Sequence, residues 1–441
     1  MIPNSLPRSL RANPLLSQWV GFGHGHVQVA TGKVELGQGV LTALAQMAAD
    51  ELCVDIGRIR MVSGQTDGTP DEIYTAGSQS IEISGASIRL VCAELRETLL
   101  SLAAAERGVA VRQCSVDDGH VLVDGESTDI SYWSHLERLK LERECSGTAP
   151  LRDRSQARFV GTAVPRLDLP AKIFGGGFIH DMAFDGMRHA RVLRGPFRGA
   201  RLVELDGERI SRSLPVGIVQ IGSFTAFVGE RERDVERAIE IARLHARWEG
   251  GIPEPETGGA EHLPAQPAID RTVQQGSGVE PGGDTMSARF SRSYLSHGSI
   301  GPACALSRWD GATLEVWTHS QGVNPLRKAI ASALEIAETD VVVSHRHGAG
   351  CYGHNGADDV AFDAALLARR FPGVPMRVQW TRRDELCAAP LGAAMMVEVR
   401  AGLKGDGLPE NWKLEIWSGS HGQRPGMGGK INLLGADEMA G

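Results

Sequence analysis

From Glu249 to Asp284 the chain reads EGGIPEPETGGAEHLPAQPAIDRTVQQGSGVEPGGD, rich in Pro, Gly and Glu and without apolar periodicity. Such a run has no face to bury, so it reads as a linker or long surface loop that divides the chain. A weaker boundary falls at Ser146–Ser155, where a helical stretch gives way to polar and strand-like sequence. A length of 441 residues exceeds one ordinary core, and about three domains are expected. The divisions are 1–150, 151–250, a linker at 251–285, and 286–441.

The first region alternates strand and helix patterns. Val27, Val29 and Val34 suggest a hairpin turning at Thr31-Gly32. Leu41, Leu44, Ala48 and Leu52 share one helical face. Ile88, Val91, Leu95, Leu99 and Leu102 form a longer stripe on a helix running from about Ser84 and stopped by Gly108. The second region carries strand signals at 191–193, 202–205 and 216–221, and a helix from about Glu232 to Trp248. After the linker come a strand at Leu314–Trp317 and a helix with Asn324 as N-cap and Pro325 at N1. A buried strand at Val341–Val343, a glycine-rich loop and a helix from about Ala357 to Arg370 follow. Strands at 376–380, 396–403 and 413–418 end the pattern, and the last residues, NLLGADEMAG, resemble a helix start. The fold class is α+β.

The net charge of -8 and the lack of a basic tract interleaved with aromatics speak against nucleic acid. No run of about 18 apolar residues predicts a membrane span, and Met1–Val20 has no apolar core of a signal peptide. The seven cysteines stand singly without CxxC spacing, which argues against a zinc ribbon or iron–sulfur cluster in this chain. An odd number of thiols points to a reducing, cytoplasmic setting.

Three loops share one design. Gly37-Gln38-Gly39 precedes the helix near Leu41, and Thr75 to Ser80 (TAGSQS) precedes the helix near Ser84. Gly348 to Gly356 (GAGCYGHNG) precedes the helix at Ala357. Small residues before a helix start leave backbone N–H groups outward, with the positive end of the helix dipole behind them. One such turn is usually only a turn; three together suggest a phosphate-bearing ligand held by several loops. Neither GxGxxG after a strand nor GxxxxGK[ST] is present. His345 and His347 fall on one strand face, with His354 and Cys351 nearby, which is one arrangement for a metal site. Polar residues at a strand end are the commoner explanation, and no acidic partner has metal-motif spacing. Asp358 and Asp359 suit a first helical turn.

At these loops the sequence resembles the molybdopterin-binding subunit of the xanthine dehydrogenase family, in its permuted isoquinoline oxidoreductase and nicotinate dehydrogenase branch. The motifs are GKVELGQG at 32–39 with TALAQ at 42–46, YTAGSQSIE at 74–82, WTHSQG at 317–322, and Gly348 to Asp359. DLPAKI at 168–173 and GMRHARV at 186–192 resemble that family's small α/β hammerhead domain. The resemblance implies that Gln38 and Gln321 flank the molybdenum end of the cofactor, within Gly37-Gln38-Gly39 and the 317–322 segment. Gly77, Ser78, Gln79 and Ser80 would hold its phosphates. Gly350, Cys351, Tyr352, Gly353 and His354 would bring backbone near the metal, although His354 stands where the family pattern expects glycine. The metal's sulfur ligands come from the pterin, so no protein residue is expected to ligate it. The cytosine dinucleotide form is the usual prokaryotic cofactor.

The family reaction inserts water-derived oxygen into an electron-poor carbon of an N-heteroaromatic or aldehyde, with a glutamate as base. The Gly-x-Gly-Glu motif that supplies it has no match; Glu256 and Glu280 lie in the linker, and Glu438 is in the last helix start. No catalytic residue is therefore assigned. The resemblance implies a second molybdopterin-binding chain carrying that glutamate, a [2Fe–2S] small subunit, and a flavin or cytochrome c acceptor. The alternative is a non-catalytic cofactor-holding or maturation protein. Gln321 is expected to matter for turnover and little for stability. The strands with Met395, Met396, Ile416 and Trp417 are expected to expose apolar faces.

Overall fold

The structure is a computed structural model that describes residues 6–251, 259–274, 276, 281 and 285–440. The chain forms two compact units. One comprises residues up to Ala190 with Cys304–Gly350 and Val360–Gln379, and the other Arg191–Ala303, Cys351–Asp359 and residues from Trp380 onward. Residues 151–190 thus belong to the first unit, whereas the sequence reading grouped them with 191–250. The mixture of helices and sheets is that of an α+β protein.

In the first unit, helices Val40–Leu52 and Ala86–Arg107 bury the stripes anticipated from their spacing. Leu44, Leu52, Ile88 and Leu95 are fully buried together with Trp19 and Tyr132. Each such large apolar side chain stabilises the fold by roughly 1.5–3 kcal/mol relative to exposure. The longer helix stops at Gly108, whose φ of 67° is open to glycine at little cost. It does not begin as an ordinary helix: Ser80–Gly85 forms a π-helical turn first. A Cβ on Gly85 would lie 2.8 Å from Met47 Cε, so the missing side chain lets the two helices approach.

The hairpin expected at Thr31-Gly32 does not form. His26–Thr31 pairs antiparallel with Val20–Gly23, and its other edge pairs parallel with Ile59–Ser63. The chain instead leaves Thr31 for a buried segment, where a Cβ on Gly32 would meet Pro70 O at 2.2 Å. In the same unit, strand Leu314–Thr318 lies between Val341–His345, parallel, and Cys304–Trp309, antiparallel. The helix after Leu314–Thr318 runs Val323–Leu334, with Gly322 at its N-cap rather than Asn324. Asn324 is buried inside the first turn.

In the second unit, helix Glu232–His245 packs Val235, Ala238, Ile239 and Ala242 onto Phe227 and Leu193. It ends three residues before Trp248, because Arg247–Gly250 joins strand Ala200–Glu204. The described part of the linker is not free along its length: Ala260 is buried beside Ala394 and Met396. Residues 252–258, 275, 277–280 and 282–284 of that linker, with Glu256 and Glu280, lie outside the described residues. Strands Thr285–Arg292, Met395–Leu403 and Pro409–Ser418 form an antiparallel sheet. Among the described residues no helix is long and apolar enough to cross a membrane.

Candidate functional site

The first loop is organised by two buried charges that its glycines conceal. Glu35 is almost completely buried, and its Oε1 accepts from Gly37 N at 2.9 Å and Gly39 N at 2.8 Å. Its Oε2 accepts from Leu41 N at 3.3 Å. The helix-start amides read as an open anion site are therefore held by the chain's own carboxylate. Gly39, with φ 77°, and Gly37, with φ 110°, supply the left-handed turns that aim both amides at one oxygen. Gln38 is exposed, yet its amide folds back, donating to Val34 O at 3.1 Å and accepting from Leu36 N at 2.6 Å.

Lys33 fastens this loop to the next. Its buried ammonium donates to Glu72 O and Tyr74 O, both at 2.8 Å. Burial lowers its pKa, against the opposing charge of Glu72. Glu72 is buried too, accepting from Thr31 Oγ1 at 2.6 Å, Gly32 N at 3.0 Å and Ser84 Oγ. Thr75 Oγ1 then accepts from Val34 N at 2.9 Å. Beyond it Gly77 and Ser78 are exposed at φ 67° and 57°, Gln79 and Ser80 are half-buried, and Gln79 Oε1 accepts from Arg8.

Gln321 arrives from a distant part of the sequence. Its backbone carbonyl accepts from Thr75 N, and its Nε2 donates to Thr75 O, both at 2.8 Å. A Cβ on Gly322 would lie 2.3 Å from the Tyr74 ring, so this glycine admits the close approach. Buried His345 lies between two carbonyls, Nδ1 3.0 Å from Ser320 O and Nε2 3.3 Å from Glu35 O, and with one N–H it donates to one of them. Burial pushes its pKa down to about 3, so the ring is neutral at neutral pH. His347, two residues on, has a buried Nδ1 without a hydrogen-bond partner. Burial and then Lys172 lower its pKa. An orphaned buried nitrogen beside these loops suits a site that receives a polar ligand.

The third loop divides between the units, with Gly350 in the first and Cys351, Tyr352, Gly353 and His354 in the second. Cys351 Sγ donates to Gly353 O at 3.5 Å, and burial raises the thiol's pKa. Gly353 has φ 138°, and a Cβ there would lie 2.3 Å from the His297 ring. His354 Nε2 sits 3.2 Å from Asp358 Oδ2, and Tyr352 is exposed. Asn355 Oδ1 takes the Ala357 amide at 3.1 Å, so this helix start too is capped from within. Asp358 and Asp359 fall in the first turn of Ala357–Arg370. Among the described residues no group of three or more His, Cys, Asp or Glu is arranged to hold a metal ion. Glu438 pairs with Arg194 in the second unit.

The structure thus joins the Gln38, Thr75 and Gln321 segments in one unit. Lys33, Glu35 and Glu72, which do the joining, were missed as site residues. Lys33 and Glu35 lie inside the 32–39 motif, but the sequence does not show which groups they reach, and Glu72 is about 40 positions from its partners Thr31, Gly32 and Lys33.

Comparison with known proteins places these segments in a family. Two family models described as molybdopterin cofactor-binding domain match residues 22–156 and 282–428. A nicotinate dehydrogenase chain of Pseudomonas putida is 35% identical over 402 residues, which cover 87% of this chain and 33% of that protein. The beta chain of isoquinoline 1-oxidoreductase of Brevundimonas diminuta is 24% identical over 440 residues, covering 86% of this chain and 55% of that protein. The aldehyde oxidoreductase structure from Desulfovibrio desulfuricans aligns with TM-score 0.48 at 12% identity, covering 85% of this chain and 44% of that one. The chain spans between a third and just over half the length of these curated relatives. With both cofactor-binding segments matched and tied together at Thr75 and Gln321, the chain belongs to the molybdopterin-binding subunits of the xanthine dehydrogenase family.

Proposed function

We propose that this chain is the cofactor-holding part of a molybdenum hydroxylase that oxidises an N-heteroaromatic or aldehyde substrate. The observation that carries the reading is the joint at Thr75 and Gln321, where the two cofactor-binding segments share hydrogen bonds. Gln38 and Gln321 would face the metal end of the cofactor, and Gly77, Ser78, Gln79 and Ser80 its phosphates. Gly350 to His354 would approach from the third loop. The exposed Gln38, Gly77 and Ser78 and the orphaned His347 nitrogen fit such a ligand. When bound, the molybdenum group supplies two-electron oxidation with water-derived oxygen; this chain binds and orients it. The cytosine dinucleotide form is the expected one.

The other components are placed on partners: a second molybdopterin-binding chain with the base glutamate, a [2Fe–2S] small subunit, and a flavin or cytochrome c acceptor. A cytoplasmic setting is part of the same reading. A non-catalytic holding or maturation role draws on a different observation, that the Gln38 and Gln321 amides both bind backbone in this structure. Purification of the native complex, with metal analysis and identification of copurifying chains, tests the proposal. Molybdenum together with a glutamate-bearing chain is expected; an active complex lacking molybdenum overturns the hydroxylase reading.

A further inference from the structure

The GQG loop is held by more than its own carboxylate. Arg166, 129 positions along the chain, donates from Nη1 to Gly37 O at 2.7 Å and lies with Nη2 3.4 Å from Glu35 Oε1. Its other contacts go to Asp168, Nε to Oδ1 at 3.0 Å and Nη2 to Oδ2 at 2.7 Å. Lys172 Nζ donates to the same Oδ2. Burial alone would raise the Asp168 carboxyl, but the bonds from Arg166 and Lys172 outweigh it and hold it well below the usual carboxylate range. Glu35, buried, and Asp168, part-buried, are thus matched by Arg166 and Lys172 in alternating order, so each carboxylate has a cation.

The partners chosen on the loop are specific. Glu35 takes the amides on both sides of Gln38, and Arg166 takes the carbonyl of Gly37, immediately before it. All of these are backbone groups; none is the Gln38 side chain. The Gln38 amide binds only its own loop, at Val34 O and Leu36 N. Its side chain can therefore turn outward, giving up those two bonds, while the backbone stays fixed. Gly39 is needed here for its φ of 77° and not for space, since a Cβ there would sit at ordinary contact distance, 3.8 Å from Arg166 Nε.

We propose that Arg166 is a positioning residue: with Glu35 it forms a charged latch that holds the Gly37–Gly39 backbone fixed while the Gln38 amide is released to a ligand. The proposal rests on the reading of Gln38 as a cofactor contact. A bidentate guanidinium can span a carboxylate and a carbonyl, whereas an ammonium reaches them as a point charge. Arg166→Lys should therefore retain the neutralisation of Glu35 and lose most of the geometric hold.

The test uses the full chain with its copurifying partners, in Arg166→Ala, Arg166→Lys, Glu35→Gln and Gln38→Ala forms. Hydrogen exchange is followed at Gly37, Gly39 and Leu41, with the Cys304–Trp309 and Leu314–Thr318 strands as reference, and molybdenum content is measured in parallel. Arg166→Ala is expected to speed exchange of the loop amides by about tenfold or more with the reference strands unchanged. Arg166→Lys should give a smaller rise, Gln38→Ala none, and molybdenum content should fall with Arg166→Ala. Unchanged loop exchange in Arg166→Ala overturns the latch, as does a rise shared equally by the reference strands. If Glu35→Gln unfolds, the two Arg166 variants still decide. Faster loop exchange with full molybdenum content upholds the latch and overturns the assignment of this loop to the cofactor.

Discussion

Thr75 and Gln321 exchange two hydrogen bonds, Thr75 N to Gln321 O and Gln321 Nε2 to Thr75 O, each 2.8 Å long across 246 positions of sequence. The amide expected to serve only a ligand is also a structural tie. Gln321→Ala should therefore cost roughly 1–2 kcal/mol of stability, since a part-buried carbonyl loses its donor, as well as lower turnover about tenfold to a thousandfold. Denaturant unfolding of the variant checks the first effect. An unchanged midpoint would show that water replaces the amide.

Lys33 should matter more for stability than either glutamine. Lys33→Met removes the donor from Glu72 O and Tyr74 O and the positive charge beside buried Glu72. A loss of about 2–4 kcal/mol is expected, with the 72–80 segment becoming protease-sensitive first. Limited proteolysis with fragment mapping reads this directly.

Acid sensitivity should trace to His345. Its folded pKa of about 3 lies below the ordinary imidazole value of about 6.5, so the unfolded chain takes up the proton first. Its contribution is present at neutral pH and is lost as pH falls from about 6.5 towards 3, at up to about 1.4 kcal/mol per pH unit. His345→Gln keeps a donor for Ser320 O and cannot titrate, and should flatten this part of the stability–pH curve. Equal slopes in the two proteins would reject the assignment.

Asp359 works in the opposite sense. Burial raises its pKa to about 6 although it accepts from Leu434 N at 2.8 Å. The folded chain therefore holds this proton more tightly, and the stability it contributes is lost as pH rises from about 3.8 through about 6. Asp359→Asn can still accept from Leu434 N. It should stabilise the protein at pH 7 by roughly 1–3 kcal/mol and lose that advantage in acid. Urea midpoints at two pH values decide it.

The sheet of the second unit should make the isolated chain self-associate. Its register aligns Met286, Ala401 and Trp412, then Ala288, Val399 and Leu414, then Phe290, Val397 and Ile416 on one face. Trp412 is 70% and Phe290 62% exposed. Of the four residues expected to expose apolar faces, Met396 and Trp417 lie on the other side of the sheet and pack with Ala260 and Ala394. Side chains alternate along a strand, so neighbours in sequence cannot share a face. Phe290→Ser with Trp412→Ser should reduce light scattering and dye binding while leaving circular dichroism unchanged.

What the sequence determined by itself was local or motif-borne. Apolar spacing marked the helices Val40–Leu52, Glu232–His245 and Ala357–Arg370, because a helix's buried stripe recurs every three to four residues. The order of the glycine-rich motifs identified the family, now supported by matches to both cofactor-binding segments. Composition at the loops also suggested open helix starts, and there the tertiary structure decided otherwise. Glu35 closes one start and Asn355 another. Which carboxylate reaches which amide, which arginine neutralises it, and that His26–Thr31 pairs with Ile59–Ser63 rather than turning back after Gly32 depend on groups distant in sequence. A buried charge leaves no periodic trace, and its cost is met only when folding brings its partner to it.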